Sequence, residues 1–80
     1  MAKVESGQLR RWGPRAVVRA QRGSVFVLLG INEEFCRNSG RPPIGARMPH
    51  DTAWDFLIDG AIDWHFEDVI MKESEVVNEA

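Results

Sequence analysis

Three kinds of side chain in this sequence could do chemistry: one thiol, two imidazoles and a set of carboxylates. Cys36 and His50 are a nucleophile and a base of the kinds that act together in covalent catalysis. The chain has, however, no glycine-rich phosphate loop, no nucleophile elbow and no paired-histidine motif. One thiol and one imidazole within a loop are common by chance. We therefore expect no enzymatic activity and no cofactor.

The carboxylates gather in the second half, where Asp55 and Asp63 are expected to oppose each other on adjacent strands. Two opposed carboxylates repel unless a cation or an arginine lies between them. Because His65 is the one further ligand type on that face, we expect no metal site. The acidic strip instead predicts a surface that docks a basic protein partner or imitates a phosphate backbone. Its members are Asp55, Asp59, Asp63, Glu67 and Asp68.

Basic side chains gather at the opposite end of the sequence. Residues 1–22 carry six basic side chains and one acidic one, whereas residues 51–80 carry nine acidic side chains and one lysine. Arginines bind phosphates bidentately, and an exposed tryptophan can stack on a base. The alternative function is therefore nucleic-acid binding through Arg10, Arg11, Trp12, Arg15 and Arg19. It ranks second because the isoelectric point of about 5.6 is not that of a dedicated binder, and Trp12 suits a core position.

Residues 32–51 show no hydrophobic period and contain three prolines and two glycines. This pattern predicts a long loop, and loops of this length are usually functional or disordered. Phe35, Ile44 and Met48 are apolar residues placed between charges in the loop. They are either anchors that become buried against a protein partner or a cap on the open end of a small barrel.

The elements that must position these side chains are short strands. Eighty residues form a single domain, 1–80. Turn signals and β-branched residues predict strands near residues 7–12, 16–21 and 24–31. After Phe66, a helical turn at 67–70 and a strand at 74–77 compete with one continuous helix over 67–78. The predicted core comprises Leu9, Val17, Val25, Val27, Leu29, Trp54, Phe56, Ile58, Ile62, Trp64, Phe66 and Ile70.

The stretch WDFLIDGAIDWHF, residues 54–66, predicts a β-hairpin around Asp59-Gly60. A two-residue turn pairs Asp55 with Trp64, which puts acid and aromatic on the same face. A three-residue loop over 58–60 pairs Trp54 with Trp64 instead, so that the aromatic residues share one face. We therefore predict the three-residue loop, with Gly60 in its left-handed position.

A resemblance to a known family extends from Gly7 to Asn78 and depends on four segments, GQLRRW, GSVFVLLGI, WDFLIDGAIDWHFEDVI and SEVVNE. It resembles small Src-homology-3-like β-barrel proteins of unknown function from tailed phages. The resemblance implies an all-β fold, a small partly open barrel of about five strands with a short helical turn or helix near the C-terminus. It also implies a non-enzymatic binding module.

The predicted function is that of a small protein-binding adaptor, encoded by a phage. It would be a virion or assembly component, or a binder and inhibitor of a host protein. Edge strands left open by the barrel would also allow pairing with a second copy. The chain has no apolar run long enough for a bilayer and no signal-peptide core, and its single cysteine suits a reducing compartment. We expect no membrane partner and a location in the host cytoplasm or the virion.

Overall fold

The computed structural model describes residues 4–77. Short strands and short helices alternate along the chain, joined by tight turns. The strands are β1 (Leu9–Trp12), β2 (Val25–Ile31), β3 (Ala53–Ile58), β4 (Ala61–Phe66) and β5 (Ser74–Val76). The helices are α1 (Glu33–Asn38) and α2 (Glu67–Glu73), with single 3-10 turns at Arg19–Gln21, Ile44–Ala46 and Pro49–Asp51.

The five strands form one antiparallel sheet in the order β4-β3-β2-β1-β5. The predicted fold class is confirmed, since five antiparallel strands in an open sheet with a short C-terminal helix are consistent with a partly open Src-homology-3-like barrel. The chain turns from α2 into β5 at Ser74, which pairs with Trp12 of β1. One continuous helix over 67–78 is therefore the wrong alternative. Among residues 4–77, no helix has the length and apolarity needed to cross a bilayer.

The predicted strand at residues 16–21 is wrong. This part of the chain is a loop that ends in the 3-10 turn, where Arg19 N–H donates to Val17 O and Gln21 N–H to Val18 O. Ala16 is buried in the core, whereas Val17, which was predicted to be buried, is 58% exposed. The backbone of this loop bonds within itself and to Glu73, whose Oε1 accepts from Val17 N–H at 2.8 Å, so the β-branched pair does not join the sheet.

The core lies on one face of the sheet, the inner face, and is built around three rings. Trp12 stacks on Phe26 with ring centroids 4.9 Å apart, and Phe26 contacts Phe56 at 4.7 Å. Ile70 of α2 is fully buried against them. The other members of this cluster are Val4, Ala16, Leu28, Trp54 and Ile58. Trp54, Phe56, Ile58 and Ile70 were correctly predicted.

Strand β2 has the opposite phase from the predicted one. Phe26 and Leu28 are buried in the core. The prediction placed Val25, Val27 and Leu29 there instead. Both faces of β2 are apolar, so alternation alone could not choose between them. The core takes the face with the larger ring, because Phe26 can stack on Trp12 and bury more apolar area.

The predicted three-residue loop between β3 and β4 is also wrong. Asp59 (φ 50°) and Gly60 (φ 78°) form a two-residue turn, and Phe56 pairs with Asp63. Positive φ at both central residues matches the right-handed twist of the flanking strands, which explains why this turn is preferred. As a consequence, Ile62, Trp64 and Phe66 leave the predicted core and lie on the outer face, opposite the inner face.

Candidate protein-binding face

A row of apolar side chains crosses the outer face from β1 to β4. Cross-strand pairing places Leu9 beside Val27, Val27 beside Leu57 and Leu57 beside Ile62. Exposure to solvent rises along the row. Val27 is half-buried, Leu57 is 40% exposed and Ile62 is 68% exposed. The half of this row nearest the hairpin turn is therefore open to solvent.

Helix α1 covers the other end of the outer face. Asn32 begins the helix, since its Oδ1 accepts a hydrogen bond from Phe35 N–H at 3.0 Å. Phe35 then packs on Trp64 with ring centroids 4.4 Å apart and on Phe66 at 6.2 Å. The next residue, Cys36, is fully buried against β3, where its Sγ accepts from the backbone N–H of residue 53. The helix thus covers Phe66 and leaves Trp64 partly exposed.

The uncovered part of this face is named here the outer apolar patch, and its members are Val27, Leu57, Ile62 and Trp64. Three of the four members are exposed rather than half-buried. Single exposed apolar residues are ordinary, whereas a contiguous group on one face is a candidate for an interaction surface.

The β3–β4 hairpin that carries most of the patch is acidic. Residues 53–66 contain three aspartates and no lysine or arginine. Asp55 lies on the outer face beside Trp64, and its Oδ1 accepts from Asn32 Nδ2 at 3.1 Å. Asp59 is exposed in the turn. The patch is therefore bordered by negative charge.

The predicted single acidic strip is wrong, because its members are divided between different surroundings. Asp63 pairs with Phe56, so it lies on the opposite face from Asp55, and its Oδ2 accepts from Gln21 Nε2 at 2.7 Å. Glu67 is the first residue of α2 and accepts from Trp54 Nε1 at 2.8 Å. Asp68 accepts from the following backbone N–H in the same helix. The predicted opposition of Asp55 and Asp63 does not exist.

The three apolar residues predicted in the 32–51 loop have different positions. Phe35 is half-buried against the aromatic rings of β4 on the outer face, and not at an open end of a barrel. Met48 is exposed, as an anchor for a partner would be. Ile44 begins a 3-10 turn, and its side chain lies outside the description. The segment is not structureless, since α1 and two 3-10 turns lie within it.

Two of the five residues predicted for nucleic-acid binding are buried. Arg10 is 3% exposed on the inner face, and burial lowers the pKa of its guanidinium. Its Nε donates to Ser74 Oγ and its Nη1 to Gln8 Oε1, each at 2.7 Å. Trp12 lies in the core and cannot stack on a base. Arg10 and Trp12 therefore stabilise the fold. The exposed remainder of the set is Arg11, Arg15 and Arg19.

The groups considered for catalysis have structural contacts. The thiol of Cys36 donates to the backbone oxygen of Asp51 at 3.6 Å, and the side chain is enclosed. His50 Nε2 lies 3.5 Å from Asp51 Oδ2, and its imidazole is exposed. Within residues 4–77, no three histidine, cysteine, aspartate or glutamate side chains gather as a metal site.

Comparison with known proteins identified no relative of this chain. The chain matches no protein-family model, and no curated protein or solved structure shows significant similarity to it. The assignment of the site therefore depends on its geometry. Leu57 and Ile62 were not predicted as binding residues. The Asp-Gly dipeptide was the signal that could have found Ile62, because it favours the two-residue turn that places this side chain on the same face as Leu57.

Proposed function

We propose that this protein is a small non-enzymatic binding module that docks another protein on its outer apolar patch. The observation that supports this most strongly is the joint exposure of Leu57, Ile62 and Trp64 on one face of the sheet. A domain of 80 residues has few apolar side chains to spare from its core. Their burial against a partner would be favourable by roughly 25 cal/mol per Å².

The charge of the hairpin indicates the chemistry of the partner. With Asp55 and Asp59 beside the patch, a complementary surface has apolar anchors bordered by lysine or arginine. The resemblance of the sequence to tailed-phage proteins supports a partner in the virion, in its assembly, or among host proteins. In the last case the protein would occupy and inhibit its target.

Nucleic-acid binding remains the second candidate, supported by the exposure of Arg11, Arg15 and Arg19. Without Arg10 and Trp12 it lacks a stacking ring and one cation. Titration of labelled DNA and RNA at two salt concentrations tests it directly. Micromolar affinity that falls steeply with salt would promote this candidate.

The docking proposal is tested with the double variant Leu57→Thr/Ile62→Thr. Threonine is a β-branched residue that strands favour, and it replaces most of the apolar surface of both side chains by a hydroxyl group. Val17→Thr is the matched control, because the exposure of Val17 lies between those of Leu57 and Ile62 and Val17 is outside the sheet. Each protein serves as bait in a lysate of the cells in which the chain is expressed. A protein that wild type and the control retain and the double variant loses supports the proposal. Identical retention by all three would overturn it.

A further inference from the structure

Three arginines converge on a cavity of about 420 Å³ beside α1, away from the N-terminal basic segment. The cavity is lined by Glu33, Arg37, Arg41, Pro43 and Arg47. Its volume lies in the range of small-molecule sites, roughly 300–1,000 Å³. Three positive charges and one negative charge line it, so an anion is the ligand that its field favours.

Arg47 is the most firmly held of the three. Its side chain is only 5% exposed, and its Nε donates to Pro42 O at 2.9 Å. Its Nη1 donates to both carboxylate oxygens of Glu33, each at 3.1 Å. This pair neutralises the one acidic group in the lining. It also fixes the arginine before any ligand arrives, which lowers the entropic cost of binding.

Arg41 is held in place, but its guanidinium lacks a full set of hydrogen-bond acceptors. Its guanidinium lies over the ring of Phe66, 5.0 Å from the centroid. Its Nη1 lies 3.4 Å from Asp51 Oδ1, longer than the roughly 2.7–2.9 Å of a good charge-assisted bond. Its Nε is buried and has no acceptor among the described residues. A stronger acceptor than Asp51 would therefore be accommodated by a small rotation of the guanidinium.

Arg37 supplies the charge that the other contacts leave uncompensated. It lies exposed in the last turn of α1, and no carboxylate of residues 4–77 lies within 4.0 Å of it. Glu33 is paired to Arg47, and Asp51 lies 3.4 Å from Arg41, so Arg37 is the cation of the lining that has no carboxylate beside it among residues 4–77. A carboxylate offers one charge and two oxygens. A phosphomonoester offers nearly two charges and three oxygens, which matches the arginines better.

We propose that this cavity binds a phosphomonoester or free phosphate dianion, held by Arg37 and Arg41 against the fixed Arg47. The proposal does not depend on the outer apolar patch, because the two surfaces share no residue. It also differs from nucleic-acid binding, since it requires one terminal phosphate group rather than a phosphodiester backbone.

The experiment is a titration of the protein with inorganic phosphate at pH 7.5, with sodium chloride adjusted to keep the ionic strength constant. Backbone amide shifts of residues 33–47 report binding. We expect saturation with a Kd of about 1 mM or tighter. Arg37→Gln should weaken binding about tenfold, and Arg41→Gln should do the same. Arg19→Gln removes the same charge from an exposed arginine outside the cavity and should leave the Kd unchanged.

Arg37→Gln keeps the test decisive, because this side chain is exposed and its replacement should not unfold the domain. Shifts that grow linearly without saturation, or weaken equally in Arg37→Gln and Arg19→Gln, would overturn the proposal as general charge screening. A second titration uses phosphoserine. Binding tighter than that of inorganic phosphate would assign a phosphorylated side chain, and equal binding would assign the free ion.

Discussion

Trp64 lies directly opposite Asp55 across the β3–β4 hairpin, on the outer face of the sheet. This one pairing determines which side chains of β4 lie on the outer face. It turns Ile62 and Phe66 outward together with Trp64, and it turns Asp63 to the inner side. Helix α1 covers part of the resulting apolar surface, and the remainder is the outer apolar patch.

The two-residue turn should be a measurable source of stability. Gly60 has φ 78°, and a Cβ there would meet no atom within 4 Å, so Gly60→Ala adds backbone strain without a clash. We expect the free energy of unfolding to fall by about 1–2 kcal/mol in urea denaturation. Gly45→Ala is the matched control, since its surroundings are equally open and its φ is not in the left-handed region. Equal losses for the two variants would contradict the assigned turn.

Arg10 should behave as a core residue despite its charge. Its guanidinium bonds Gln8 and Ser74 at once, and the single ammonium of Arg10→Lys cannot keep both contacts. We expect Arg10→Lys to lower the free energy of unfolding by about 1–3 kcal/mol, because buried polar groups lose partners. Arg11→Lys, next in sequence and exposed, should change it by less than about 0.5 kcal/mol. Similar values for both would show that Arg10 is not buried.

Phe35 should hold α1 on the sheet. Its ring is the contact between the helix and Trp64, so Phe35→Ala should release the helix locally without unfolding the domain. Hydrogen exchange should accelerate for the amide protons of residues 36–39 and remain slow for β2 and β3. Met48→Ala, at an exposed position of the same segment, should leave both rates unchanged. Uniform acceleration across the sheet would contradict a local role.

The two aspartates of the hairpin should differ in their effect on partner binding. Asp55→Asn removes a charge beside Trp64 and keeps an oxygen for Asn32. It should weaken the binding of a basic partner several-fold, measured as an increase in Kd. Asp63→Asn makes the same change on the other face and should have no effect. Reversed or equal effects would move the binding surface to the inner side of β4.

The sequence predicts those parts of the fold where one physical preference acts alone. In β3, only Trp54, Phe56 and Ile58 could form an apolar face, so alternation predicted them correctly. In β2 both faces are apolar, and the choice depended on whether Phe26 could reach Trp12. That contact comes from β1, outside the strand itself.

The predicted hairpin register was wrong because two preferences competed. Grouping the aromatic residues on one face favoured a three-residue loop, whereas Asp59-Gly60 favoured a two-residue turn. The turn prevailed because α1 offers Trp64 a second place to pack, on Phe35. The arginine cavity was missed for a related reason. Arg37, Arg41 and Arg47 lie in a segment without periodicity, and the Asn32 cap and local turns bring them to one cavity.

The most direct test of the docking proposal is the Kd of the captured partner for wild type, Leu57→Thr/Ile62→Thr and Val17→Thr. We predict that the double variant binds at least about tenfold more weakly, a loss of roughly 1.4 kcal/mol, while Val17→Thr matches wild type. The urea midpoints of all three should remain close, because the substituted side chains are exposed. An unchanged Kd for the double variant, with the fold intact, would contradict the proposal that this face binds a protein.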